Sequence, residues 1–187
     1  IKKAVDMIFE AKRPIIYSGG GVVLDKSSDK LRELVDELGF PVTNTLMGLG
    51  AFPGTDERFL GMLGMHGTYE ANVTMHHADL IIAIGARFDD RVTNATGKFC
   101  PDAKIIHIDI DPSSISKTIT ADVPIVGPVG SVLDDMLALI RSSDETIDAE
   151  ALASWWKRIN DWRPRHGMRY DKNEDGLMKP QEVIEAM

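Results

Sequence analysis

The segment DLIIAIGA, residues 79–86, limits the possible folds of this chain more than any other stretch. It is too uniformly apolar for a strand with one wet face and far shorter than the roughly 20 residues that span a bilayer. Such a strand needs cover on both faces, which a parallel sheet flanked by helices supplies. The neighbouring segments agree. Ala4, Val5, Ile8 and Phe9 recur at helical spacing, Pro14 stops that helix, and Ile15, Ile16 and Tyr17 read as a buried strand. Gly19, Gly20 and Gly21 follow as a turn. DKSSDKLRELVDELG then puts Leu31, Leu34, Val35 and Leu38 on one helical face, with Gly39 as the stop.

The alternation continues. PVTNT reads as a strand, GTYEANVTMHHA as a helix, KIIHIDI as an alternating strand, DVPIVG as a last strand and SVLDDMLALIRS as a last helix. Asp111, Pro112 and Ser113 carry the start signals of a further short helix. The expected fold is α/β: a doubly wound sheet of about six parallel strands with helices on both faces.

Composition shifts after Ser143, where all three tryptophans appear with few branched aliphatics and several turn residues. Residues 1–143 are expected to form the domain and residues 144–187 a linker or appendage. The helical spacing of Trp155, Trp156, Ile159 and Trp162 suits packing on the domain or on a neighbour. The sequence opens inside one helical pattern and closes inside another, KPQEVIEAM, so it is expected to be a piece of a longer chain. Charge narrows the partners: 29 acidic against 21 basic residues give a formal charge of -8, a poor match for nucleic acid. Cys100 is alone and no charged-then-apolar leader is present, which points to a cytoplasmic protein with no membrane span.

In a doubly wound sheet, ligands settle at the carboxyl ends of the strands. The residues there are Gly19 to Gly21, TLMGLG from Thr45, LGMHGT from Leu63, GARFDDR from Gly85 and DIDP from Asp109. The glycines allow a phosphate or flavin edge to approach closely, but they lack the G-x-G-x-x-G spacing, and a strand-to-helix turn uses glycine for steric reasons alone. Arg87 and Arg91 beside Asp89 and Asp90 suit a pyrophosphate, or pair internally in a solvated loop. Asp109 stands where a dinucleotide fold holds a ribose hydroxyl, while Asp111 can cap the next helix. His66 is an acid–base candidate or a structural hydrogen-bonder, and the adjacent His76 and His77 diverge on a helix and make poor zinc partners. Asp171, Asn173, Asp175, Gly176 and Glu182 match calcium-loop spacing, but Lys179 and Pro180 in that loop, with Pro164 and Gly167 upstream, favour a solvated turn. No G-x-S-x-G, P-loop, HExxH or cysteine cluster is present.

The run FLGMLGMHGTYEANVTMHHADLIIAIGARFDDRVTN, followed by KIIHIDIDPSSISK, resembles the central domain of the acetolactate synthase (acetohydroxyacid synthase) large-subunit family. The triple glycine, NTLMGLGAFP and KPQEVIEAM extend the resemblance over essentially the whole chain. It implies a Rossmann-like domain of a thiamine-diphosphate enzyme that decarboxylates pyruvate and joins the hydroxyethyl unit to pyruvate or 2-ketobutyrate, opening branched-chain amino acid synthesis. The family's activating glutamate and its magnesium-binding GDG motif belong to other domains, so the resemblance implies no catalytic residue or metal ligand in this piece and no turnover by it alone. The central domain supplies an FAD site, with the flavin largely structural. By motif, the implied FAD contacts are Gly20, Gly21, Thr45, Leu46, Met47, Leu63, Gly64, Met65, His66, Gly85, Ala86, Arg87, Asp89, Arg91, Asp109 and Ile110. Met65, Asp90 and Arg91 are implied to line the substrate channel. The implied partners are the remaining domains of the chain, a second catalytic subunit and a small regulatory subunit. Two departures stand out: Gly127 is followed by Pro128 where the family has an aspartate near the FAD, and VTG is VTN, Val92 to Asn94. A related carboligase, a pyruvate oxidase, or a module binding NAD or CoA are the competing readings.

Overall fold

The computed structural model describes residues 1–93, 95–164, 170–171 and 176–187. Its described residues contain a six-stranded sheet in the order β3-β2-β1-β4-β5-β6, every pairing parallel. The chain enters through helix α1 (Lys2–Glu10) into β1 (Pro14–Ser18), where Pro14 takes the first strand position, a place that needs no ladder N–H from it. The short helix α2 (Gly20–Leu24) and then α3 (Ser28–Leu38) lead to β2 (Val42–Asn44) and β3 (Phe59–Met62) on one side. Helix α4 (Tyr69–His77) crosses back to β4 (Leu80–Ile84) on the other side of β1, and the one-turn helix α5 (Asp90–Thr93) precedes β5 (Lys104–Asp109) and β6 (Val123–Val126). Strand order therefore reverses between β1 and β4, which makes that gap the topological switch point.

Two cores follow from the pleat. Ile16, Ile82, Ile84, Ile106 and Ile108 face one side, where α1, α3 and α6 (Val129–Ser142) cover them. Ile15, Tyr17, Ile81, Ala83 and Ile105 face the other, under α4 and α7 (Ala149–Trp162). All five residues of β4 are buried, as its uniform hydropathy requires. Gly39 ends α3 in the left-handed conformation at φ +68°. The segment after Ser143 begins as a packed helix: Trp155, Ile159 and Trp162 sink into the second core, and Trp155 Nε1 donates to Pro14 O at 3.0 Å. A last short helix, α8 (Pro180–Glu185), carries Glu182, whose carboxylate accepts from Lys179 N at 2.7 Å.

The structure corrects four local expectations. The triple glycine is not a free turn, because Gly20 and Gly21 already form the first turn of α2. β3 is a strand that hydropathy does not announce; Gly61, at φ +88°, makes an irregularity in its pairing with β2 and breaks the apolar run. KIIHIDI alternates in polarity but not in exposure over its strand, since His107 is as fully buried as Ile106 and Ile108 and Asp109 is nine-tenths covered. No helix starts at Asp111. Its carboxylate accepts from Ser113 N at 2.9 Å and from the Ser113 and Ser114 hydroxyls, and this local network holds a turn that Ser116, at φ +58°, prevents from propagating.

Candidate functional site

The carboxyl ends of β1 and β4 meet almost backbone to backbone. Gly21 N donates to Gly85 O at 3.0 Å, and a Cβ on Gly21 would lie 2.7 Å from the Gly85 Cα. A Cβ on Gly19 would lie 2.2 Å from Gly85 O, and Gly85 itself sits at φ +56°. The steric reading of these glycines is thus realised: they let two turns touch. The consequence is a recess of about 190 Å³ directly over the switch point, walled by Gly21, Gly85, Asp109, Ile110 and Pro128. Ligand sites in open parallel sheets lie at this place.

Asp109 ends β5 on that recess with nine-tenths of its surface covered. Its Oδ1 accepts from Asp111 N at 2.8 Å, and among the described residues its other oxygen accepts no hydrogen bond. A carboxylate so placed can accept from a ribose hydroxyl, and the described lining includes no lysine or arginine to bind a phosphorylated ribose. Asp25 shares the lining. Its Oδ2 accepts from Gly130 N at 2.7 Å and from the Ser27 hydroxyl, and these bonds, the hydroxyl's above all, hold its carboxyl below the usual range. Pro128 caps α6 with no side-chain oxygen, so the carboxylate at the start of α6 comes from Asp25 instead.

The loop after β4 alternates anchors and charges. Ala86 and Phe88 are buried, while Arg87, Asp89, Asp90 and Arg91 are exposed. Arg87 Nη2 lies 3.8 Å from Asp89 Oδ2, and Arg91 Nε 3.8 Å from Asp90 Oδ2, with the arginine side chains 68% and 73% exposed. Pairs this long and this wet contribute about 0–1 kcal/mol each, so both guanidinium groups stay available to an anion.

Two further turns join this rim. Gly64, at φ +106°, lets Leu63–His66 fold against α5, where Met65 N donates to Arg91 O at 3.0 Å. Leu63 and Gly64 are buried there, whereas Met65 and His66 are exposed. Thr45 Oγ1 accepts from Gly48 N at 2.9 Å and closes a single 3-10 turn that leaves Leu46 and Met47 exposed. The Met47 Cβ lies 3.1 Å from where a Cβ on Gly20 would be, so this turn abuts the start of α2. The structure thus links the expected residues in two groups. Gly21, Gly85, Asp109 and Ile110 line the recess, with Gly20 and Ala86 next to them in sequence and the Thr45–Met47 turn abutting Gly20; Leu63 to His66 adjoin Arg91. A larger recess, of about 240 Å³, lies between α4 and α5, but Leu63 is the one expected residue in its lining and it stands away from the switch point.

Several residues that sequence reasoning passed over hold these loops from below. Ser18 Oγ donates to Asn44 Oδ1 at 2.7 Å, and Asn44 Nδ2 donates to Gly48 O at 2.8 Å. Asn72 grips Gly64 twice, accepting from its N–H at 3.1 Å and donating to its carbonyl at 3.0 Å. Tyr17 OH donates to Arg87 O at 3.4 Å, and His107 Nε2 lies 2.9 Å from Ala86 O. Burial pushes the Tyr17 phenol up and the His107 imidazole down. A polar residue inside an apolar strand, as in KIIHIDI, was the available signal. Among the described residues no three His, Cys, Asp or Glu side chains converge as a metal site. Asn173 and Asp175 of the calcium-like spacing, and Asn94 of VTN, lie outside the described residues. No helix among the described residues is long and apolar enough to cross a membrane.

Residues 1–136 match the family described as "Thiamine pyrophosphate enzyme, central domain". Over all 187 residues the chain is 50% identical to the acetolactate synthase isozyme 3 large subunit of Escherichia coli (strain K12) and covers 32% of that protein. It is 52% identical to the acetolactate synthase large subunit of Buchnera aphidicola subsp. Schlechtendalia chinensis, again covering 32%, and 43% identical to the acetolactate synthase of Mycobacterium bovis, covering 30%. The chain therefore spans about a third of the length of the curated relatives it matches. A six-stranded parallel sheet with its recess at the switch point, and a match across residues 1–136, establish that the chain belongs to the thiamine pyrophosphate enzyme family as its central domain.

Proposed function

We propose that this chain is the FAD-binding central domain of an acetolactate synthase large subunit. The observation that carries the reading is the recess over the switch point: Asp109 lines it, and the Arg87 loop follows the β4 strand end beside it. A dinucleotide with an unmodified ribose and a central pyrophosphate fits that donor and acceptor set. Asp109 would accept from the ribose, Arg87 and Arg91 would meet the pyrophosphate, and the exposed Leu46, Met47 and Ile110 would pack on apolar ring surface. The other residues named by motif, Gly20, Gly21, Thr45, Leu63 to His66, Gly85, Ala86 and Asp89, complete the proposed contacts, and Met65, Asp90 and Arg91 would face the substrate channel.

In this reading the whole enzyme condenses two pyruvates, or pyruvate and 2-ketobutyrate, to acetohydroxy acids on the route to valine and isoleucine. Thiamine diphosphate, held with magnesium by domains outside this chain, supplies the electron sink for decarboxylation, and FAD shapes the site without a net redox step. The residues of this chain bind and orient; none is assigned a proton transfer. Residues 1–143 carry the FAD site, and residues 144–187 lead toward the next domain after α7 packs back on the sheet. A second catalytic subunit, a small regulatory subunit and a cytoplasmic location belong to the same proposal.

Titrating the protein with FAD, NAD and CoA, followed by flavin fluorescence and thermal shift, tests it. The expected order is FAD first, with CoA rejected because its ribose carries a phosphate opposite two carboxylates. A preference for NAD or CoA overturns the assignment, and so does acetolactate formation by this chain alone.

A further inference from the structure

His107 is fully buried in β5, in register with Ala83 of β4 and Pro124 of β6. Its Nε2 lies 2.9 Å from Ala86 O. A carbonyl oxygen only accepts, so Nε2 carries the proton, and in the neutral ring Nδ1 is left as an acceptor. Among the described residues Nδ1 has no hydrogen-bond partner. An isoleucine or phenylalanine would fill this core position without burying an unpaired nitrogen, so the sheet does not need a histidine here. What offsets the unpaired nitrogen is the bond that Nε2 makes to the loop above.

That loop is held at successive points. Ala86 O takes the His107 bond and Arg87 O a longer one from Tyr17 OH. Phe88 is buried between them, its ring centroid 5.3 Å from that of His107 and 5.6 Å from that of Tyr17. Arg87 and Asp89, on either side of Phe88, face solvent. The Ala86 carbonyl belongs to the peptide that joins Ala86 to Arg87, so its orientation sets the direction in which the Arg87 side chain leaves the backbone.

We propose that His107 is a positioning residue for the Arg87 loop: its Nε2–H fixes the peptide between Ala86 and Arg87 and so aims the Arg87 guanidinium at the pyrophosphate of the bound dinucleotide, which His107 itself does not touch. The ligand part of this inference rests on the reading of the recess as an FAD site; the loop part does not. The test compares His107→Phe, which fills the space but donates nothing, with His107→Gln, whose side-chain amide keeps a donor near the same place. Three quantities are measured on each: the FAD dissociation constant, amide hydrogen exchange over residues 86–89, and the melting temperature. His107→Phe is expected to raise the FAD dissociation constant about five- to tenfold, the worth of one hydrogen bond. It is also expected to speed exchange selectively at residues 86–89, with His107→Gln recovering most of both. Unchanged exchange at residues 86–89 in His107→Phe overturns the proposal, as does an equal loss in both variants that simply follows a lower melting temperature. If the unsubstituted protein takes up no FAD, the functional reading fails, and exchange at residues 86–89 alone decides for or against His107.

Discussion

Asp25 and Gly130 stand 105 residues apart, yet the Asp25 carboxylate caps the first turn of α6 by accepting from Gly130 N at 2.7 Å. The bond ties the end of α2 to the helix after β6 across one wall of the recess. Replacing Asp25 with Ala removes the cap and is expected to cost about 1 kcal/mol in urea unfolding at neutral pH. Because the folded carboxyl titrates below its ordinary 3.8, its contribution is complete above that value and disappears as pH falls through the lower folded value. The stability gap between Asp25→Ala and the unsubstituted protein should therefore narrow steadily as the pH is lowered below 3.8; a gap that stays constant across the acid range contradicts the assignment.

Gly85→Ala tests the contact between the two turns. The new Cβ would sit 2.7 Å from the Gly21 Cα at φ +56°, where an L side chain is already strained. Left-handed strain of about 1–2 kcal/mol, together with the displaced turn, should lower stability by at least about 2 kcal/mol. Gly97→Ala, with no heavy atom within 4 Å of its Cβ, should stay within about 0.5 kcal/mol. Equal behaviour of the two in denaturant titrations would refute the steric role.

The tryptophans of α7 are expected to act as core residues. Trp155→Ala opens a cavity in the second core beside Trp162 and frees the Pro14 carbonyl, so it should cost about 3–5 kcal/mol. Deleting residues 144–187 uncovers the same face and should abolish the cooperative melting transition. A truncated protein that melts at the original temperature would show that α7 is dispensable.

His77 stacks on Trp162 at a centroid distance of 5.5 Å, joining α4 to α7. Burial first, then the Arg158, His76 and Arg13 charges, push its imidazole below the ordinary 6.5, with Asp102 opposing. Between the folded value and 6.5 the unfolded chain binds more protons, so stability from this contact is full above pH 6.5 and declines as pH falls below it. His77→Phe keeps the stack and removes the proton site. Its melting temperature should therefore fall less than that of the unsubstituted protein between pH 7 and pH 5; parallel declines would rule out a role for His77.

The alternation of apolar runs with amphipathic segments determined the parallel sheet, because a strand as apolar as Leu80–Ile84 has no stable place except between two layers of helices. The strand ends were legible for the same reason: Gly21, Gly85, Arg87 and Asp109 follow apolar runs, and in this architecture their loops gather at one edge. Local polarity could not reveal what lies beneath those loops. His107 and Asn44 look like polar members of strands, and their roles depend on Ala86 and Gly48 arriving above them. Nor could it decide the fate of Asp111, where a helix and a serine-rich turn compete for the same carboxylate. The sequence by itself thus determined the sheet and the set of residues at its rim, since hydropathy and glycine act over a few neighbours. Only the tertiary structure decided which carboxylate caps α6 and which side chains hold the Arg87 loop, because those bonds join segments whose meeting is set by how the strands pair.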